Sequence, residues 1–278
     1  MGMFVLLLGL FVWSEESLVA HAFPRSPLAA ALQGAVQNAR RCPPLSDVAS
    51  LSFAEQPRIV VRDDEQFACK RLIECDVMTS PPETNVYWFV NKQLVHSVAQ
   101  RDITLEGNPE QTILGVSQTR HRFCLDPFLK PNQENTVSCR VQSSCKSDVI
   151  IESPPLVTMG PSHNSPLTKY SPQAPLITLV TATRMEIAGQ FVQLFCHATG
   201  KPKPNIEWMV LDDADESKVY PISDFKDFIY VLDGGDVLIN TAATDRASIT
   251  LQCNASNEDG YDAAESSLII LAPNDSQS

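Results

Sequence analysis

The amino-acid sequence predicts an all-β protein of two tandem sandwiches joined by a proline-rich linker. The first observation is a repeated order of residues, in which a cysteine is followed by a tryptophan and then by a second cysteine. Two sets have this order: Cys75, Trp88 and Cys139, and Cys196, Trp208 and Cys253. The second observation is that short apolar segments and turn residues alternate at intervals of about 8–12 residues, as in sandwiches. The length of 278 residues leaves room for two domains of about 100 residues each.

Each of these sets indicates the core of one sandwich. Cysteines on facing sheets bridge such a core, and an indole from the next strand packs on the bridge. Val192 and Leu194 stand at alternate positions before Cys196, so the side chains in register with this cysteine are apolar. We therefore predict two core disulfides and two core indoles: Cys75–Cys139, Cys196–Cys253, Trp88 and Trp208.

The first 22 residues have the features of a signal peptide. An apolar run of 11 residues, MFVLLLGLFVW, ends at Trp13 and is too short for a bilayer, which needs about 20 residues. Ala20-His21-Ala22 supplies a small-x-small cleavage site. No later apolar run reaches spanning length, so we expect a secreted, extracellular protein without membrane insertion.

The rest of the chain divides by composition. In order, we predict an N-terminal arm (23–51), domain one (52–152), a linker (153–175), domain two (176–272) and a polar tail (273–278). The linker holds six of the 20 prolines, and this density resists both helix formation and ladder pairing. The strands predicted in domain one cover residues 58–61, 71–77, 86–90, 94–96, 112–114, 118–125, 136–141 and 149–151. In domain two they include 176–180, 237–239 and 266–271, besides the strands that carry the core residues.

Four further cysteines lie in or before domain one. An even number of cysteines in a secreted chain indicates disulfides. Cys69 begins the strand that leads to Cys75, and Cys124 ends a strand that should be its antiparallel neighbour. In antiparallel neighbours the start of one strand lies beside the end of the other, so Cys69 and Cys124 should be close together. Cys42 and Cys145 should both lie at the opposite end of the domain. The geometry therefore predicts the disulfides Cys69–Cys124 and Cys42–Cys145.

Composition and motifs argue against nucleic acid and against catalysis. The formal net charge of −12 leaves nothing to neutralise phosphates. The sequence contains no Gly-x-Ser-x-Gly, no His-Glu-x-x-His and no phosphate-binding glycine loop. The four histidines considered as catalytic residues are scattered, and no free thiol remains to pair with them: His96, His121, His163 and His197. We therefore expect neither an enzyme nor a cofactor.

The acidic run at 212–216 is the best candidate for a metal site. A calcium loop of the EF-hand type needs glycine at its sixth position and glutamate at its twelfth, where this chain has Ser217 and Ser223. We therefore predict a solvated acidic loop and no metal.

Two sequons predict N-glycosylation, at Asn254 and Asn274. Asn254 follows an inward-facing cysteine and should face outward, whereas Asn274 lies in the polar tail. Phe195 and Met209 have outward parity as well, so they are candidates for a binding patch, for a contact between the domains or for the cover of an edge strand. The sequence predicts neither the oligomeric state nor the ligand-binding residues.

The stretch from Cys196 through GKPKPNIEW to CNASNEDG closely resembles I-set immunoglobulin domains. Two such domains after a leader resemble the small secreted two-immunoglobulin proteins of invertebrates. These comprise the nematode zwei-Ig family and the insect protein that binds insulin-like peptides, and the resemblance covers about residues 42–271. It implies binding to an extracellular protein, such as a cell-surface receptor or adhesion molecule, in maintaining axon and neuron positions. Sequestration of insulin-like peptides is the alternative.

The chain departs from I-set domains at one core position. Such domains usually have tyrosine two residues before the second cysteine, but Val137 and Leu251 stand there in this chain. We therefore expect apolar packing, rather than a tyrosine hydroxyl, to hold this corner in both domains.

Overall fold

The computed structural model describes residues 50–62, 69–102, 115–144, 146–162, 173–212, 215 and 218–272. The strands in chain order are β1 Ser50–Phe53, β2 Arg58–Val61, β3 Arg71–Ser80, β4 Thr84–Val90, β5 Gln93–Gln100, β6 Val116–Cys124, β7 Glu134–Ser143, β8 Ile150–Glu152, β9 Leu156–Met159, β10 Gln173–Ile187, β11 Phe191–Leu194, β12 Cys196–Lys201, β13 Asn205–Leu211, β14 Val219–Pro221, β15 Ile229–Val231, β16 Val237–Asn240, β17 Ser248–Asn257 and β18 Gly260–Leu271. Short 3₁₀ turns cover Asp126–Phe128, Ile222–Phe225 and Thr241–Ala243. No helix of these residues is long and apolar enough to span a membrane.

Domain one packs two sheets face to face. One sheet contains β3 with β1, β2 and β6, and the other has the order β5–β4–β7 with β8 and β9 both on β7. Successive side chains of a strand point to opposite faces, so alternate residues of β3, β4 and β7 fill the space between the sheets. The core that results is apolar: Ile73, Cys75, Val77, Val86, Trp88, Val90, Leu125, Leu129, Val137, Cys139 and Val141.

Domain two has the same plan. A three-stranded sheet, β11–β16–β15, faces the strands β10, β18, β17 and β13. The core is built around Trp208 and the Cys196–Cys253 pair, with Ile177, Val180, Val192, Leu194, Val210, Ile249, Leu251 and Leu268 among its buried residues. Val137 and Leu251, which replace the tyrosine of the I-set pattern, are 1% and 0% exposed in the two cores. The structure therefore agrees with the all-β, two-sandwich prediction.

The two domains share one sheet. β6 of domain one pairs antiparallel with β10 of domain two, from His121 opposite Leu179 to Val116 opposite Met185. The resulting ten-stranded sheet has the order β1–β3–β6–β10–β18–β17–β13–β14, with β2 on β3 and β12 on β10. The sequence predicts two sandwiches on a linker, but it does not predict that they are joined through their backbones.

The predicted linker is wrong for part of residues 153–175. Leu156–Met159 forms β9 and pairs with β7, from Val137 opposite Leu156 to Glu134 opposite Met159. The prolines flank this strand at 154, 155 and 161 rather than interrupting it, so they separate β8 from β9 without abolishing the pairing. At the other end of the predicted linker, β10 begins at Gln173.

The start of domain one also differs from the prediction. β1 begins at Ser50, within the predicted arm, and pairs with β3. The predicted strand at 112–114, the leader, most of the arm and the tail lie outside the described residues.

Candidate protein-binding face

Three disulfides of the described residues are the pairs expected from the sequence: Cys69–Cys124, Cys75–Cys139 and Cys196–Cys253. Trp88 lies opposite Cys139 on the neighbouring strand, and Trp208 lies opposite Cys253. Both indoles are buried, and Trp208 Nε1 donates a hydrogen bond to Gly235 O at 2.7 Å. Cys42, Cys145 and Asn274 lie outside the described residues, so the Cys42–Cys145 bridge and the Asn274 glycan remain predictions.

The Cys69–Cys124 bridge and Asp126 form a brace at one end of domain one. Asp126 Oδ2 accepts the backbone N–H groups of Lys70 and Arg71 at 2.6 and 3.1 Å. Its Oδ1 accepts Arg71 Nη1 at 2.9 Å. Both sulfurs and this carboxylate lie close enough together for a metal ion. Sulfurs joined in a disulfide are not thiolate ligands, however, and the carboxylate is already hydrogen-bonded, so the group braces β3 against β6.

The two histidines of the central region have opposite environments. His121 is 1% exposed, and burial lowers its pKa to about 4. His197 Nε2 lies 3.1 Å from Asp236 Oδ1, and its hydrogen bond to this carboxylate raises its pKa. Asp236 Oδ1 also accepts the N–H of Cys196 at 2.9 Å. These contacts fix the backbone beside the core disulfide of domain two.

Before the register shift of β10, Val180 enters the core of domain two on the side of Arg120. Past this shift, both domains turn their cores to the same side of the ten-stranded sheet. On β6 the buried side chains Ser117 and Thr119 face this side. On β10, past a register shift between Thr181 and Thr183, Arg184 lies beside the buried Leu268 of β18. The register shift therefore allows one strand to serve both domains, and the opposite side of the sheet stays open across the junction.

We call the residues on the open side of the junction the open strip: Met78, Val116, Gln118, Thr183, Met185, Ser267 and Ile269. Cross-strand pairing places them in two adjacent rows, Met78–Gln118–Thr183–Ser267 and Val116–Met185–Ile269. Met78 is 40% and Met185 37% exposed. The strip thus presents thioether and aliphatic groups, with short polar side chains among them, on four strands that come from both domains.

An ionic network borders the open strip on the domain-one side. Arg120 pairs with Asp76 at 2.9 Å, and Arg122 pairs with Glu74 at 3.0 Å. Arg122 Nη1 also lies 3.5 Å from Asp262 Oδ2 of β18, and the same oxygen accepts the N–H of Ile177 at 2.8 Å. This network ties the surface of domain one to domain two.

The residues predicted to face outward have different positions. Phe195 is 2% exposed, so the prediction that it could belong to a binding patch is wrong. Its N–H donates to Thr181 Oγ1 at 2.9 Å, and its C=O accepts the Thr181 N–H, because it lies against the strand that joins the domains. Met209 is partly buried on β13. Asn254 is partly buried between Glu207 and Ala263 on the neighbouring strands, and its glycosylation remains a prediction.

A second apolar face lies on the outer side of the five-stranded sheet of domain one. The Arg140 guanidinium lies 5.0 Å from the centroid of the Phe89 ring and pairs with Glu152 at 2.8 Å. Leu94 and Val157 are 56% and 61% exposed on this face. Unlike the open strip, this face belongs to domain one alone.

Comparison with known proteins identifies the class of fold. No family model matches the chain. A segment of 119 residues is 33% identical to neuronal cell adhesion molecule of Gallus gallus, which covers 41% of this chain and only 8% of that relative. The solved structure of neural ectodermal development factor IMP-L2 is similar over 81% of this chain and 95% of its own, with 19% identity and a TM-score of 0.55. Tandem immunoglobulin repeats of Dlar match over 81% of this chain and 98% of their own, with 18% identity and a TM-score of 0.31.

The likeness to the IMP-L2 structure agrees with the observed sandwiches. Both domains of the chain are covered by the likeness to IMP-L2, so the similarity extends to the pair and not to one domain alone. Membership of the nematode zwei-Ig family remains a prediction from the sequence. The chain has the fold of two tandem immunoglobulin-like sandwiches.

Proposed function

We propose that the chain acts without catalysis, by binding an extracellular protein through the open side of its ten-stranded sheet. The observation that carries this proposal is the β6–β10 pairing, because it joins residues of both domains in the open strip. A ligand that spans the strip touches a surface whose two halves are already fixed relative to each other. Such preorganisation lowers the entropic cost of binding.

The size of the sheet suits a protein ligand. Eight strands in sequence across it leave seven spacings of about 4.8 Å, which gives a width of about 34 Å. With strands about 20 Å long, the face offers about 700 Å², close to the roughly 800 Å² that each partner buries in a standard interface. The methionines of the strip suit such a surface, since their flexible side chains adapt to irregular partners.

A protein of the neuronal cell surface is the first candidate partner. The sequence resembles the zwei-Ig family, and this resemblance implies a role in maintaining axon and neuron positions. Two of the proteins that the chain is similar to, a neuronal cell adhesion molecule and a neural ectodermal development factor, point in the same direction. Secretion, indicated by the predicted leader, would place the chain where such a partner is found.

An insulin-like peptide is the second candidate. The sequence also resembles the insect two-immunoglobulin protein that binds such peptides, and sequestration needs an apolar surface beside the domain junction. The open strip meets this requirement, because Met78 and Met185 come from different domains and both are exposed. A small ligand centred on the strip would therefore contact both domains at once.

One pair of variants tests the binding face, whichever partner is right. Met185→Asp places a charge in the open strip, and Val157→Asp places one on the second face, where the side chain is more exposed. We expect Met185→Asp to weaken binding at least about tenfold, or about 1.4 kcal/mol, and Val157→Asp to leave it unchanged. Surface plasmon resonance with immobilised full-length protein would measure both affinities.

The choice of analyte in the same experiment tests which candidate is the partner. Insulin-like peptides and a panel of neuronal cell-surface ectodomains are applied separately at micromolar concentration. Binding of an ectodomain alone supports the first candidate, and binding of a peptide alone supports the second. If Val157→Asp abolishes binding while Met185→Asp retains it, the proposed face is wrong.

A further inference from the structure

The junction between the domains encloses four charged side chains, of which three are acidic and one is basic. Arg184 of β10 donates from Nη1 to Asp102 Oδ2 at 2.8 Å and from Nη2 to Glu186 Oε2 at 2.8 Å. Glu83 Oε1 accepts the backbone N–H of Asp102 at 3.1 Å. Asp102 and Arg184 are 2% and 3% exposed. Glu83 and Asp102 belong to domain one and the other two to domain two, so the group spans the junction.

The group is tightly enclosed. Gly115 lies directly against it, and a Cβ at this position would collide with the Glu186 carboxylate and lie 2.8 Å from Arg184 Nη2. Ser117, two residues after Gly115, lies opposite Arg184 in the β6–β10 pairing. The charged group therefore lies directly against the backbone pairing between the domains.

Two further charges act on this group from the described residues. Arg101 lies near Glu83, but its guanidinium donates to Gln100 O, Ser144 Oγ and Asn85 Oδ1 rather than to a carboxylate of the group. Asp236 of domain two acts on Asp102 through space and adds a negative charge to its surroundings. Arg101 therefore offsets part of the Glu83 charge, whereas Asp236 adds to the negative charge around Asp102.

We propose that this group is a proton-responsive latch, which holds the two domains together more firmly at mildly acidic than at alkaline pH. When all three carboxyl groups are ionised, Arg184 pairs with Asp102 and Glu186, and Glu83 adds a third negative charge beside Asp102. This third charge is partly buried and has no pairing with Arg184, and such uncompensated charge is costly. A proton on Glu83 removes one charge and leaves Oε1 free to accept the Asp102 N–H. The proton is released to solvent when the junction opens.

The titration of these groups supports this inference. Burial raises the pKa of Glu83 to about 7, the Asp102 charge adds to the increase, and the bond from the Asp102 N–H and the charge of Arg101 oppose it. Burial also raises the pKa of Asp102 and Glu186, with Arg184 opposing. A carboxyl group with a raised pKa favours the closed form as pH falls from about 7 towards the ordinary glutamate value of about 4.5. This contribution is lost above pH 7.

Hydrogen exchange of the full chain tests the latch. The amides of residues 116–121 and 179–185 whose N–H groups donate across the β6–β10 ladder report its opening, after correction for the intrinsic pH dependence of exchange. We expect their protection to rise about tenfold in total as pH falls from 8 to 6, mostly below the Glu83 pKa of about 7. Glu83→Gln should clearly reduce this dependence and retain the protection of the acidic form. Glu152→Gln, which removes a charge from the second face of domain one, is the matched control and should keep the wild-type dependence.

A second measurement does not depend on any variant. The side-chain carboxyl carbon of Glu83, followed by NMR in the wild-type protein, should titrate with a midpoint near pH 7. A midpoint near 4.5 overturns the proposal, as does an unchanged pH dependence of ladder protection in Glu83→Gln. Neither result depends on a ligand, so the latch and the proposed function can fail separately.

Discussion

At the scale of single residues, His121 is a polar group enclosed in the wall shared by the two domains. It lies opposite Cys75 on β3 and opposite Leu179 on β10. Its Nε2 has no hydrogen-bond partner among the described residues. A neutral imidazole tolerates this burial better than an imidazolium does, and for this reason its pKa falls to about 4. The sequence alone shows only a histidine between two arginines, which is more typical of a solvated surface.

We expect His121 to make the protein sensitive to acid. Because its pKa is lower in the folded than in the unfolded state, its contribution to stability is complete above pH 6.5 and is lost as pH falls through 4. The loss is at most about 3 kcal/mol, from a difference of about 2.5 pKa units. Urea denaturation of wild type and His121→Gln at pH 7.5 and 4.5 would measure it. The variant, neutral at both values, should lose clearly less stability on acidification, and equal losses would contradict the assignment.

At the scale of elements, β3 and β6 are held together at one end by a covalent and an ionic brace. Cys69–Cys124 closes a loop of 55 residues, and Asp126 binds the backbone of the chain entering β3. A disulfide that closes a loop of this length restricts the unfolded chain more than a short loop would. The brace therefore supports the sheet at the end of domain one where β6 leads into the 3₁₀ turn Asp126–Phe128.

Removing this bridge should destabilise domain one measurably. We expect Cys69→Ala combined with Cys124→Ala to lower the free energy of unfolding by about 2–4 kcal/mol, while the core disulfide Cys75–Cys139 stays intact. Chemical denaturation followed by the fluorescence of Trp88 and Trp208 would show the change. A loss below about 0.5 kcal/mol would mean that the bridge adds nothing to the hydrogen bonds of Asp126.

The elements differ in how far the sequence determines them. Strands around the core cysteines could be predicted, because buried and exposed residues alternate on β4, β7 and β17. β9 could not be predicted, because the prolines on both sides of Leu156–Met159 indicate a break in the sheet. The four residues of the strand itself contain no proline and can pair with a neighbouring strand. The prediction that Phe195 faces outward assumes that inward and outward side chains alternate without interruption from Val192 to Cys196. In the structure β11 ends at Leu194 and β12 begins at Cys196, so the alternation is interrupted at Phe195.

At the scale of the whole molecule, edge pairing between domains decides which surface the protein offers. In the sequence, Gln118 and Thr183 are polar residues of the kind found on the outer face of any strand. Only the pairing of β6 with β10 places them next to each other. No local propensity encodes this pairing, because it depends on how two finished sandwiches meet. The candidate face was therefore beyond sequence analysis, although the sandwiches that form it were not.

The central claim is that two immunoglobulin-like domains behave as one rigid body through their shared sheet. The most direct test is the distribution of distances between spin labels, introduced as unnatural amino acids at Val157 in domain one and Val231 in domain two, both more than half exposed. Pulsed electron paramagnetic resonance of the full chain should give a single narrow distribution centred on the separation in this structure. A broad or bimodal distribution would mean that the domains swing on their linker, and it would contradict the continuous binding face.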